Sequence, residues 1–215
     1  MAILQTDVPM TSDLCRRTMA ALAARYPAFR LETLTTTAFD RPVQALRIGR
    51  GGQRVLYSAA HHANEWITAP VLLKFLEELA AADEAQGALF GVPTKTILNA
   101  ATIFAVPMVN PDGVDLVTGA IEAGVPEYEK ARQFAENYPA IPFPEGWKAN
   151  LLGVDLNLQY PAGWLKARDI KFSQGYTRPG PRDFVGRAPL NQREAIALAR
   201  YTLRVDPALV IALHT

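Results

Sequence analysis

Apolar positions along the chain recur with two periods, and each period marks out elements. In "TSDLCRRTMAALAARYP", Leu14, Met19 and Leu22 share one helical face, with Thr11, Ser12 and Asp13 as candidate N-caps and Pro27 as the stop. "RLETLTT" and "PVQALRIG" read as strands, the second alternating Val43 and Ala45 and, less cleanly, Leu46 and Ile48. Gly49, Gly51 and Gly52 mark a turn, and "RVLYSAA" is an apolar run of buried-strand length. From Thr68 a helix is predicted, because Val71, Leu72, Phe75, Leu76 and Leu79 follow one face, with Thr68 as cap and Pro70 in the first turn.

"ATIFAVPMVNPDG" predicts another buried strand running into a turn at Asn110–Gly113. From about Val114 to Pro189 the chain is rich in Pro, Gly and aromatics, with little periodicity beyond a helix at Tyr128–Asn137. "LNQREAIALARYTLRVD" predicts a helix, and "PALVIALHT" a buried strand carrying His214 near its end. Helices alternating with apolar strands predict an α/β fold with a mixed, mostly parallel sheet flanked by helices.

Composition narrows the class. The 215 residues fit one domain, and 49% hydrophobic with 20% charged residues is the balance of a globular protein with a core. A net charge of +1, with no clustered Lys/Arg run, gives no electrostatic case for nucleic acid. Cys15 is alone, so no intramolecular disulfide exists, and its helical context reads as a small apolar packing residue. The N-terminus has neither a basic start nor a continuous apolar stretch, and no run approaches bilayer length. The expectation is a cytoplasmic protein, or one whose export signal lies outside this sequence. Nothing in the sequence sets an oligomeric state.

The chain holds three histidines. Two are adjacent, in "AAHHANEW", and the third is His214. In α/β sheets ligand sites lie beyond the carboxyl ends of the strands, and both histidine segments follow predicted strands. His62, Glu65 and His214 together make two imidazoles and a carboxylate, the donor set that binds one Zn2+ with a fourth position open. A bare H-x-x-E is common by chance, and a solvated loop pair is the competing interpretation. His61 has Asn64 as its i+3 partner, a poor zinc ligand, so His62 is taken as the ligand and His61 as a supporting residue.

Four segments in order then resemble the metallocarboxypeptidase family: "HHANEWITAP", "PMVNPDG", "GVDLNLQYPAGW" and "VIALHT". The resemblance implies a carboxypeptidase-like fold and a zinc peptidase with His62, Glu65 and His214 as metal ligands. It implies that Asn157 helps hold the substrate's carboxylate or neighbouring amide. It also places Lys148 where the family has an arginine beside the scissile carbonyl. Two departures follow. Leu158 stands where carboxypeptidases have the arginine that clamps a C-terminal carboxylate. "DLNLQYPAGW" and "PGPRDFVG" instead resemble the bacterial branch that cleaves γ-D-glutamyl–diaminopimelate bonds in cell-wall peptides, with Arg182 as a replacement cation. The family's general-base glutamate is expected on a strand beyond Thr215, so the resemblance implies that this chain is an N-terminal portion without the C-terminal strands.

Two other functions share these features. One is a zinc-dependent deacylase of the aspartoacylase and succinylglutamate-desuccinylase type, and the other is a non-catalytic zinc- or peptide-binding module. Asp155 reads either as a partner orienting a ligand histidine or as a turn cap.

Overall fold

A computed structural model describes residues 3–215. Helix α1 (Ser12–Arg25) starts where Thr11 Oγ1 accepts the Leu14 N–H, so Thr11 is the cap among the three candidates. Strands β1 (Arg30–Thr36) and β2 (Pro42–Gly49) form an antiparallel pair, followed by β3 (Gln53–Ser58). Helix α2 (Thr68–Glu84) leads to a short hairpin, β4 (Ala88–Leu89) and β5 (Val92–Pro93), then to α3 (Thr94–Ala100) and β6 (Ala101–Val106). The remainder comprises α4 (Pro111–Val117), α5 (Pro126–Ala135), α6 (Trp164–Ser173), α7 (Arg193–Val205) and β7 (Leu209–Ala212).

The main sheet runs β1-β2-β6-β3-β7 and is mixed: β6, β3 and β7 are parallel, whereas β1 and β2 are antiparallel to their neighbours. Strand β2 explains its own imperfect alternation. Val43 and Ala45 face the core beneath α7, with Leu198, Tyr201 and Val205, while Leu46 and Ile48 face the core under α1 and α2, with Leu22, Leu72 and Leu76. A strand covered on both faces has no solvent side for polar residues to mark. A third cluster, around Trp147, Leu116, Ala149 and Ala131, fills the space beside the site.

Several expectations change. Thr68 is the first residue of α2 rather than its cap, and Val71 is 55% exposed. The face that sets the helix is Leu72, Leu73, Leu76 and Leu79, all buried. Each contributes about 2 kcal/mol by burial, more than the ~1 kcal/mol of a cap. Asn110–Gly113 is not an isolated turn but the start of α4, with Asn110 Oδ1 accepting the Gly113 N–H. The aperiodic middle contains α4, α5 and α6, short helices packed locally. Strand β7, expected to be buried, leaves Leu209 and Val210 each 51% exposed, because among the described residues β3 is the one strand it pairs with. No helix among the described residues is long and apolar enough to cross a membrane.

Candidate metal centre

The parallel register sets the location. Ser58, the last residue of β3, is level with Val106 at the end of β6 and with Ala212 at the end of β7. The segments that leave these three ends therefore meet at one edge of the sheet. The first is the His61–Glu65 loop, the second is the Asn-Pro-Asp-Gly segment, and the third carries His214.

The first loop is held tightly. Ala60 adopts a left-handed φ of 48°, and its N–H donates to Thr68 Oγ1 while the Thr68 hydroxyl donates to the Glu65 carbonyl. A strained non-glycine backbone persists only where its surroundings fix it. Ala63 and Asn64 donate to the carbonyls of Lys148 and Trp147 at 3.0 and 3.1 Å. The buried Asn110 side chain joins the same two segments, donating toward the carbonyls of His61, Lys148 and Ala149 at 3.0–3.3 Å. A Cβ added at Gly113 would lie 2.5 Å from the Ala149 carbonyl oxygen, so this approach requires glycine.

Glu65 is the hub. It is 2% exposed; Oε1 lies 2.9 Å from His62 Nδ1 and 3.1 Å from Lys148 Nζ, and Oε2 lies 2.8 Å from His214 Nδ1. Burial works against its charge, but the bonds from His62, His214 and Lys148 outweigh it and hold the carboxyl down at about 2. Burial also disfavours the charged form of His62, and there the carboxylates of Asp155 and Glu65 win, raising its pKa. Asp155 Oδ1 is 3.4 Å from His62 Nε2. The same carboxylate caps the short turn at Leu156–Leu158 by accepting the Asn157 N–H, as a turn-capping aspartate does.

The donor set fits zinc. Ligand atoms of His62, Glu65 and His214 lie within 4.8 Å of one another. Two imidazoles and one carboxylate within that distance are the donor set of a zinc site with bonds of roughly 2.0–2.2 Å. His62 already has a carboxylate behind its second nitrogen, as metal-ligating histidines do.

The other residues named from sequence fall around this trio. His61 is buried, with Nε2 3.1 Å from the Tyr160 hydroxyl and Nδ1 without a partner. Burial, then the neighbouring His214 and His62, push its pKa down to about 3, so it is neutral near pH 7. Asn157 is exposed and lines a 200 Å3 cavity with His61 and Tyr160. Arg182 lies outside the trio, its Nε donating to Asp183 Oδ2 at 2.7 Å. Sequence reasoning missed Asn110, whose signal is its place after an apolar strand and before Pro111, where a capping residue belongs.

Residues 15–215 match the zinc carboxypeptidase family. The chain is 40% identical over 194 residues to gamma-D-glutamyl-L-diamino acid endopeptidase 1 of Lysinibacillus sphaericus, covering 90% of this chain and 47% of that protein. It is 35% identical over 192 residues to the uncharacterized protein YqgT of Bacillus subtilis (strain 168), covering 88% and 49%. The chain thus spans about half the length of the curated relatives it matches. Its fold superposes on carboxypeptidase A from Helicoverpa armigera with a TM-score of 0.71 at 19% identity, covering 99% of this chain and 47% of that one.

Proposed function

The chain belongs to the zinc carboxypeptidase family, and on that premise we propose that its metal centre serves hydrolysis of γ-D-glutamyl–diamino acid bonds in cell-wall peptides. The observation that carries this reading is the convergence of His62, Glu65 and His214 from two strand ends onto one point. These three residues would hold the ion. Zinc bound there would supply a water of lowered pKa, near 7, and an electrophile for the scissile carbonyl.

Other residues of this chain would contribute to binding and orientation. Asp155 fixes the ring of His62, and Asn110 fixes the loop that carries it. Lys148 Nζ, partly buried beside Glu65, is positioned to stabilise negative charge developing on the carbonyl oxygen. Asn157, at the rim, would orient the neighbouring amide. Leu158 offers no cation to a C-terminal carboxylate, which favours cleavage within a peptide over removal of its last residue. The Nε of Arg182 is taken by Asp183, leaving its Nη groups for a substrate carboxylate. The relative whose name specifies a γ-D-glutamyl bond supports the same linkage here.

The test combines metal content with product analysis. About one zinc per chain, lost in His62→Ala, together with cleavage of L-Ala-γ-D-Glu-diaminopimelate at the γ-bond and not of its α-linked isomer, is the expected result. A folded chain that takes up no zinc overturns the metal reading. Release of acyl groups from N-acyl amino acids, with no peptide cleavage, would establish the deacylase instead.

A further inference from the structure

Residues 164–187 carry six Lys and Arg against two Asp, in a chain whose total is +1. Three of the six line a 430 Å3 cavity, Arg168, Arg178 and Arg187, together with Phe172, Phe184 and Gly186 among others, with no acidic residue in its walls. Asp183, next to Phe184, is already matched by Lys171 at 2.6 Å and Arg182 at 2.7 Å. Arg168 pairs with the exposed Asp169 and lies over the Trp164 ring, 5.6 Å from its centroid. Arg178 and Arg187 have no ion-pair partner among the described residues.

Surface arginines ordinarily point into water and bind nothing in particular. Arg178 differs in being mounted on a fixed frame. The Tyr138 hydroxyl donates to the Arg178 carbonyl at 2.8 Å and accepts the Arg178 N–H at 3.1 Å, clamping that residue's main chain on both sides. Asn137 Nδ2 donates to the Pro179 carbonyl at 3.0 Å, and the Tyr138 ring packs on Tyr176 with centroids 5.5 Å apart. Gly180 lies flat on that ring, where a Cβ would come within 2.2 Å of a ring carbon. A held backbone lowers the ordering cost when guanidiniums close on a ligand. The cavity wall is also tied to the metal centre. Asp155 donates its N–H to the Phe184 carbonyl at 2.9 Å and accepts the Asp183 N–H, and it stands behind His62.

We propose that this cavity is an anion site that takes the carboxylates of an acidic peptide on Arg168, Arg178 and Arg187, with Phe184 as its apolar floor. Guanidinium forks match planar carboxylates bidentately, which lysines cannot do. The site's part in substrate selection rests on the peptidase reading above. Its existence as a binding site does not.

The experiment is calorimetric titration of the protein with triglutamate and, separately, triglutamine. Triglutamate is expected to bind and triglutamine not. The double variant R178Q/R187Q should bind triglutamate at least about tenfold more weakly, the loss of one charge-assisted contact or more. R200Q, in a separate cavity, and His62→Ala should bind as the wild type does. Both replaced arginines are exposed, so an unchanged thermal midpoint checks that the double variant is folded. R178K/R187K, which keeps charge without the fork, should recover only part of the affinity. Equal binding in R178Q/R187Q and wild type, equal binding of the two peptides, or loss of binding in His62→Ala would each overturn the site. Absence of zinc or of peptidase activity, with triglutamate binding intact, would count against the peptidase reading alone.

Discussion

Glu65 Oε2 and His214 Nδ1 lie 2.8 Å apart, although 149 positions separate them in the chain. The contact exists because β3 and β7 run parallel and end level with each other, so the residues that follow both strands share one edge.

Asp155 backs His62 without joining the trio. Asp155→Asn should weaken zinc binding by about 10–100-fold; asparagine can still cap the turn but gives up the bond from the Asp183 N–H, so part of any loss of stability comes from there. Competition with a chromophoric chelator measures the affinity, and circular dichroism checks the fold. Unchanged affinity would show that the 3.4 Å approach has no orienting role.

Lys148 is predicted to act on charge that develops during the reaction. Lys148→Ala should lower kcat on a γ-glutamyl peptide by roughly 10²–10³-fold with a smaller change in KM. Lys148→Arg should retain much of the rate. A variant that changed KM alone would place this residue in ground-state binding instead.

Asn110 and Gly113 hold two loops together. Asn110→Ala leaves buried carbonyls unpaired and removes a helix cap, at a cost on the order of 3 kcal/mol. Gly113→Ala forces a Cβ against the Ala149 carbonyl and should destabilise comparably. Denaturant midpoints measure both. Near-wild-type stability in either variant would show that the loop contacts are loose.

Glu194 is buried next to Asn150 and in the field of Asp112, and burial first, then Asp112, raises its pKa from the ordinary 4.5 to about 7. A carboxyl whose folded pKa is raised favours the native state while protonated. That contribution is complete below pH 4.5 and fades as pH rises toward 7. Glu194→Gln should therefore flatten the decline in stability between pH 4.5 and 7 and gain on the order of 2 kcal/mol at pH 8. The opposite sign applies to Glu65, whose depressed pKa adds stability above pH 4.5 that is lost as pH falls through about 2. In metal-free protein, thermal midpoints across this range separate the two groups.

Much of this molecule was legible in the chain. The apolar periods located α1, α2, α7 and the five strands of the main sheet, because burial against one or two faces is a local property of residue order. The motif order groups His62, Glu65 and His214 as candidate ligands from residue order alone. Other features depended on tertiary structure. Strand β7 carries the apolar run of a buried strand, yet it is half exposed because it has a single neighbouring strand among the described residues. The helices of residues 111–173 are short and packed on local clusters, so their sequence shows no sustained period. Asn110 bonding to three carbonyls, and Glu65 charged in a buried position, follow from groups brought together across 38 to 149 positions. Residue order specifies which faces must be buried. The strand register decides which side chains meet, and that meeting turns two histidines and a glutamate into a candidate zinc site.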